Sequence, residues 1–221
     1  MSLKFCENNI IYKILNFSHL NDFFNFSLLN TKYNILVKNN KYNTIINIKN
    51  ISQLKYIKYW NNIKFNFIYK NHYLVYNINN LNNLYRLEIT KRDIIIDCNI
   101  LKKIKILKCS YLTLLNINKL DKVIELDLYN VFGIKNIDGL NNLYKLILSG
   151  IYIKYIKNTK KLKNIYLYYC NLIEDFRYLK NLNKIVVYSC DNFNNLINLE
   201  NVDNIKLNYL LKIKDIDIIK N

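Results

Sequence analysis

Proline and alanine are absent from this chain, and glycine (Gly133, Gly139, Gly150) and arginine (Arg86, Arg92, Arg177) occur three times each. These four residue types share codons with G or C in the first two positions. The abundant Asn, Lys, Ile, Tyr and Phe come from A- and T-rich codons, so the composition points to a very AT-rich genome. That bias governs how the net charge of +17 is read. Such a charge ordinarily suggests phosphate contacts with nucleic acid. Here lysine carries the excess, while arginine, the better bidentate reader of phosphate and guanine, is nearly missing. Nucleic acid is therefore not the expected partner.

Other absences exclude other classes. No run approaches 18 consecutive apolar residues, so no membrane span is expected. The first ten residues, MSLKFCENNI, lack the charged start, apolar core and small-residue cleavage site of a signal peptide. The five cysteines (Cys6, Cys98, Cys109, Cys170, Cys190) form no CxxC pair and stand apart from His19 and His72, so no zinc site is expected. Cysteine-rich caps are missing as well, which favours a reducing compartment, and a cytoplasmic location is the expectation. The glycines are scattered and none precedes Lys-Ser or Lys-Thr, which excludes a phosphate loop. No GxSxG elbow is present. Neither a catalytic residue nor a cofactor is expected, and both histidines read as surface residues. A chain that is 51% hydrophobic and 22% charged is nevertheless not a disordered one.

What is present is a repeat, the feature to seek first. Five segments align: VIELDLYNVFGIKNIDGLNN from Val123, LYKLILSGIYIKYIKNTKK from Leu143, LKNIYLYYCNLIEDFRYLKN from Leu162, LNKIVVYSCDNFNNLINLEN from Leu182 and VDNIKLNYLLKIKDIDIIKN from Val202. Apolar residues fall at unit positions 1, 4, 6, 9, 12, 15 and 18, as in Leu162, Ile165, Leu167, Cys170, Ile173, Phe176 and Leu179. Earlier units are less regular. LKKIKILKC opens a 22-residue unit at Leu101, LYRLEITKR a shorter one at Leu84, and weaker candidates begin near Trp60 and Asn43.

Positions 4 and 6 share one face of a short strand. Positions 12, 15 and 18 recur every three residues, which suits a 3₁₀ turn or an extended return rather than a long helix. Each unit buries seven apolar side chains at about 2 kcal/mol each. Ordering about twenty residues costs about 1–2 kcal/mol per residue, so one unit cannot fold alone. Stacking against neighbours must supply the rest.

The motif LxxLxLxxC/N resembles the leucine-rich-repeat family. The resemblance implies an α/β solenoid of about nine units, with parallel strands on the concave face, 3₁₀ or extended convex returns and a small α-helical N-terminal cap. The solenoid is assigned to residues 43–221 and the cap to residues 1–42. In that family position 9 is often Asn or Cys, which places Cys109, Cys170 and Cys190 in one buried column with Val131, Ile151 and Leu210. A redox pair of Cys170 with Cys190, in adjacent units, is the alternative.

The segment from Asn8 to Val37 changes period. Ile10, Ile11, Ile14 and Leu15 recur at helical spacing, and Ser18 or Asn21 can cap a second helix. A plain helical cap over the first repeat is one reading. The other is a resemblance to the F-box family, carried by Ile14-Leu15, Leu20, Asp22-Phe23, Ser27-Leu28-Leu29 and Tyr33. The opening Leu-Pro of that family falls at Cys6-Glu7 and its tryptophan at Tyr33. The resemblance implies docking of Ile10, Ile14, Leu15, Leu20, Phe23, Leu28 and Tyr33 onto the adaptor subunit of a cullin-type ubiquitin ligase, with the repeats presenting a substrate. Leucine-rich-repeat proteins of entomopoxviruses and other AT-rich large DNA viruses look similar, which would place the chain in host-cell cytoplasm. A plain repeat-binding protein with no ligase link is the alternative.

If positions 4 and 6 point inward, positions 3, 5 and 7 face out. In the unit from Leu101 these are Lys103, Lys105 and Leu107. In later units the columns hold Glu125, Asp127 and Tyr129; Lys145, Ile147 and Ser149; Asn164, Tyr166 and Tyr168; Lys184, Val186 and Tyr188. Glu125 and Asp127 share a face that a glycosidase or metal site could use, but no further ligand accompanies them. The expected partner is a protein, bound by Glu125, Asp127, Tyr129, Tyr166, Tyr168, Lys184 and Tyr188, because tyrosine buries area while keeping a polar tip. An open last unit invites edge pairing, so a monomer or a weak edge-to-edge dimer is expected, with Lys212, Lys214, Asp215, Asp217 and Lys220 as a charged guard.

Overall fold

The computed structural model describes residues 46–48, 62–65, 84–90, 92, 94–174, 176, 178–194, 199, 202–210 and 212. The expected helical cap and every residue of the F-box resemblance lie outside the described residues.

Among the described residues, nine of eleven strands form one parallel sheet. They are β1 (Ile46–Ile48), β2 (Asn62–Phe65), β3 (Arg86–Thr90), β5 (Ile106–Ser110), β7 (Glu125–Tyr129), β8 (Lys145–Ser149), β9 (Asn164–Tyr168), β10 (Lys184–Tyr188) and β11 (Asn204–Asn208), each beside the next. Two shorter strands, β4 (Ile95–Asp97) and β6 (Thr113–Leu115), pair with each other on the return side. The molecule is thus a parallel-strand solenoid. The α/β expectation is corrected in one respect: among the described residues the only helix is two 3₁₀ turns, Cys98–Ile100 and Ile117–Lys119.

The register follows the repeat. Leu126, Leu146, Ile165 and Ile185 stack as position 4, and Leu128, Leu148, Leu167 and Val187 as position 6, all fully buried. Both weak early candidates also fall in frame, since Ile46 pairs with Ile63 and Ile63 with Leu87. Backbone hydrogen bonds lace the units before and after each strand. The Ile124 carbonyl accepts from the Tyr144 and Lys145 N–H groups at 2.8 and 3.0 Å, and the Tyr144 carbonyl accepts from Lys163 and Asn164 at 3.0 and 3.1 Å.

One frame is corrected. Leu107 pairs with Leu87 and Leu126, and Cys109 with Ile89 and Leu128, so the unit begins at Ile104 and not at Leu101. Two frames fit the run Leu101, Ile104, Ile106, Leu107 and Cys109, because apolar residues stand at both. Sheet pairing selects the frame that buries Leu107, and an odd-residue slip would turn every side chain over. Leu107 is therefore a core residue and not an outward one. Lys103 and Lys105 precede the strand, and Ile106, Lys108 and Ser110 take the outward places. Leu112 fills position 9, so Cys109 leaves the proposed cysteine column.

The returns absorb the length differences. From Val123 the return buries Val131, Ile134, Ile137 and Leu140; from Leu143 it buries Ile151, Ile153, Ile156 and Thr159, one residue having been dropped after position 9. Position 8, just past each strand, is left-handed in every described unit from Ile104 onward: Tyr111 (φ 60°), Asn130 (47°), Gly150 (61°), Tyr169 (55°), Ser189 (49°) and Tyr209 (54°). This turn aims the position-8 N–H at the last strand carbonyl of the next unit, as in Tyr169 to Tyr188 at 3.0 Å. An L-residue loses roughly 1–2 kcal/mol there, which Gly150 avoids.

Candidate partner-binding face

The outward positions of β3 to β11 form two unlike fields. At the first end, on β3, β5 and β7, charges answer each other. Arg86 pairs with Glu88 within its own strand. Lys108 Nζ on β5 lies 3.3 Å from Glu125 Oε1 and 3.9 Å from Asp127 Oδ2, and Lys145 Nζ on β8 lies 3.3 Å from the same Glu125 oxygen. Burial pushes the Glu125 carboxyl up, but the two ammonium groups outweigh it and hold it below the ordinary range. Asp127 goes the other way. Desolvation leads, Lys108 is more distant, and Glu125 repels it, so its carboxyl is raised. Both carboxylates are thus occupied by lysines. Among the described residues no group of three or more His, Cys, Asp or Glu side chains is placed to hold a metal.

At the other end, on β9 and β10, lysine meets aromatic rings instead. Tyr166 has Lys184 Nζ 5.4 Å and Lys145 Nζ 6.0 Å from its ring centroid, one from each neighbouring strand. Beside it Tyr168 and Tyr188 stand 6.4 Å apart. Tyr188 receives further rings edge-on, Tyr169 at 5.7 Å and Tyr209 at 5.0 Å. Partial burial and the neighbouring phenols Tyr169 and Tyr209 raise the Tyr188 hydroxyl, keeping it a neutral donor. Tyr209 remains 72% exposed and Tyr169 56%, so the cluster offers open ring faces.

The expected residues therefore divide. Tyr166, Tyr168, Lys184 and Tyr188 come together in one patch. Glu125 and Asp127 belong to the charged field, and Tyr129 packs edge-on against Tyr111 at 5.1 Å, with Ser149 standing between it and Tyr168 along the column. The position-8 tyrosines, Tyr111, Tyr169 and Tyr209, were not anticipated. A signal existed, because Asn130, Gly150 and Ser189 share their column, and Gly or Asn after a strand marks a left-handed turn. Ile10, Ile14, Leu15, Leu20, Phe23, Leu28 and Tyr33 lie outside the described residues.

Cys170 and Cys190 are both fully buried at position 9 and carry free thiols, as do Cys98 and Cys109. The Cys170 N–H donates to the Cys190 sulfur at 3.3 Å, and the Cys170 thiol meets the Leu148 and Tyr168 carbonyls at 3.6 and 3.5 Å. The Cys190 sulfur thereby answers the buried Cys170 N–H. The hydrogen bond between the two thiols, and then burial, raise the Cys170 thiol; burial, helped by the neighbouring Asp97 charge, pushes Cys98 up to about 12. The same hydrogen bond holds the Cys190 thiol below its ordinary value, so complete burial is what makes these packing thiols rather than nucleophiles. No helix among the described residues is long and apolar enough to cross a membrane. A scan of protein-family models matches none to this chain, and a search of curated proteins finds no relative.

Proposed function

We propose that the chain is a non-catalytic scaffold of the leucine-rich-repeat kind that captures a protein partner on the tyrosine end of its concave face. The observation that carries this reading is the patch of Tyr166, Tyr168, Tyr188, Tyr169 and Tyr209, with Lys145 and Lys184 held against Tyr166. Mutually supported tyrosines lose little entropy on binding and supply anchors. Lys145 is shared with Glu125, but Lys184 faces a ring, and Lys206 on β11 lies on the same outer face. The complementary occupant is an acidic protein segment carrying apolar side chains. Selection of displayed peptides on the intact chain should enrich Asp- and Glu-rich sequences with such side chains. Tyr166→Ala combined with Tyr188→Ala should lose them while melting as one cooperative unit. Peptides that bind the double variant equally well would remove the patch from consideration. Preferential retention of oligonucleotides would reassign the face to nucleic acid.

The F-box resemblance supports a narrower role, substrate receptor of a cullin-type ubiquitin ligase in the cytoplasm, for which the acidic segment would be the substrate's. Capture of the ligase adaptor by the full chain, lost on deleting residues 1–40, is the expected result. Capture that survives the deletion would leave the plain scaffold.

A further inference from the structure

The left-handed turn past each strand sets the position-8 side chain beside the last outward residue of the sheet. In three successive units that position holds Tyr169, Ser189 and Tyr209, and the outward residue next to the serine is Tyr188. Tyr169 belongs to the unit before Tyr188 and Tyr209 to the unit after, so their rings flank it. Their centroids lie 5.7 and 5.0 Å from that of Tyr188, with planes steep to it at 72° and 62°. Strands are about 4.8 Å apart, so the two flanking tyrosines leave their backbones roughly 10 Å from each other. Only Ser189 stands between them in the column. The outcome is a ridged aromatic platform: two steep rings, a gap over Ser189, and Tyr188 along one side of it.

This platform is uncovered, unlike the two other tyrosine pairs. Arg92 lies 5.3 Å from the Tyr111 ring of one, and Lys157 Nζ 4.7 Å from the Tyr178 ring of the other. Among the described residues no lysine or arginine lies over Tyr169, Tyr188 or Tyr209. Nor is a strand edge on offer, since β9 and β10 have sheet neighbours on both sides. A helix would bring no free backbone group to the phenol tips, because its amides and carbonyls are bonded internally. A polyproline II segment would. Its carbonyls are free to accept from tyrosine hydroxyls, and its prolyl rings dock between aromatic side chains.

We propose that Tyr169, Tyr188 and Tyr209 dock a proline-rich segment in the polyproline II conformation, with a prolyl ring over Ser189 and an acidic residue at Lys184. This rests on the reading of the patch as a partner site, and names the backbone form and the anchor of that partner. Lys184 begins the strand that Tyr188 ends. The rise between them is about 13 Å at about 3.3 Å per residue, which about four polyproline II residues span at about 3.1 Å each. The acid therefore belongs about four residues from the seated proline, and Lys206 on the neighbouring β11 lies beside its path.

The test titrates the intact chain by calorimetry with an oligoproline flanked by glutamates, an oligoproline flanked by lysines and a Leu-Gly repeat flanked by glutamates. The glutamate-flanked oligoproline should bind saturably and shift the ring signals of Tyr169, Tyr188 and Tyr209. The other two should bind at least about tenfold more weakly. Ser189→Tyr fills the gap, and the turn already carries tyrosine at Tyr111, Tyr169 and Tyr209, so the variant should fold and lose the oligoproline. Tyr209→Ala removes one ridge and should weaken it about tenfold. A Leu-Gly peptide that binds as well as the oligoproline would overturn this assignment and leave the acidic-partner reading standing. Binding of neither glutamate-flanked peptide would overturn both. Equal binding of the lysine-flanked oligoproline, or unchanged affinity in Ser189→Tyr, would also overturn the assignment. Should Ser189→Tyr fail to fold, Tyr209→Ala decides, and unchanged affinity there has the same consequence.

Discussion

The two ends of the sheet's outer face are built over the same buried columns in one parallel sheet, yet they dispose of their lysines differently. On β5 and β7 Lys108 is bracketed by Glu125 and Asp127, so charge is neutralised within the molecule. On β9 and β10 Lys184 sits against Tyr166, which leaves its charge uncancelled. The first arrangement spends its interactions on the fold, and the second keeps them for something outside. The largest effect should therefore appear in binding at the tyrosine end. Tyr166→Ala with Tyr188→Ala is expected to weaken an acidic peptide at least about thirtyfold, the range of two-kilocalorie anchors, whereas Glu125→Gln should leave that affinity within about twofold. Equal losses by calorimetry would erase the distinction between the two ends.

Stability should show the reverse ranking. Replacing Lys108 by Met leaves Glu125 and Asp127 facing each other on β7 with only Lys145 between them and the solvent. A loss of about 1–2 kcal/mol in urea unfolding is expected, because partly buried carboxylates lose their counter-charge. Lys184→Met, which strands no carboxylate, should cost less than about 0.5 kcal/mol. A larger loss at Lys184 would show the tyrosine end to be structural as well.

The two carboxylates of β7 give the charged end a pH signature. Glu125 has a depressed folded pKa, so its contribution is present above the unfolded value, near 4.5, and fades as pH falls through the lower folded one. Asp127 has a raised folded pKa. Its ionised form is therefore disfavoured by folding, and the deficit grows as pH rises through that value, above 3.8. At neutral pH Glu125→Gln should destabilise and Asp127→Asn should be neutral or stabilising, each by less than about 1 kcal/mol. Unfolding curves at pH 7 and pH 3 would check the opposed signs. Two variants moving the same way would mean that Lys108 does not separate the pair.

Much of this was legible in the residues because period two on a strand and a recurrence near twenty leave few architectures. The strand register at Leu126, Leu146, Ile165 and Ile185 needed nothing else. The Leu101 frame failed for a physical reason: Ile104, Ile106, Leu107 and Cys109 present apolar groups at both parities, and only hydrogen bonding to Leu87 and Leu126 breaks the tie. Within the candidate patch, Tyr166, Tyr168 and Tyr188 were readable from alternation. Tyr169 and Tyr209 were not, because they extend from a turn whose left-handed backbone places them beside Tyr188 instead of opposite it.

That turn supplies the smallest effect. At position 8 the left-handed backbone is obligatory, because it directs the N–H to the next unit's strand end, and Ser189 does so toward Asn208 at 3.0 Å. A serine at φ 49° carries strain that glycine escapes. Glycine in turn loses about 0.5–1 kcal/mol more chain entropy on folding. The difference leaves Ser189→Gly more stable by a few tenths of a kcal/mol up to about 1. Gly150→Ala should move the opposite way, since its new Cβ would lie 2.0 Å from Asn130 Oδ1 and force that amide aside. Paired melts of the two variants separate backbone strain from side-chain contact. Ser189→Gly changes no ring in the tyrosine cluster, so any loss of stability there would mean that the left-handed turn is imposed by the side chain and not by the ladder.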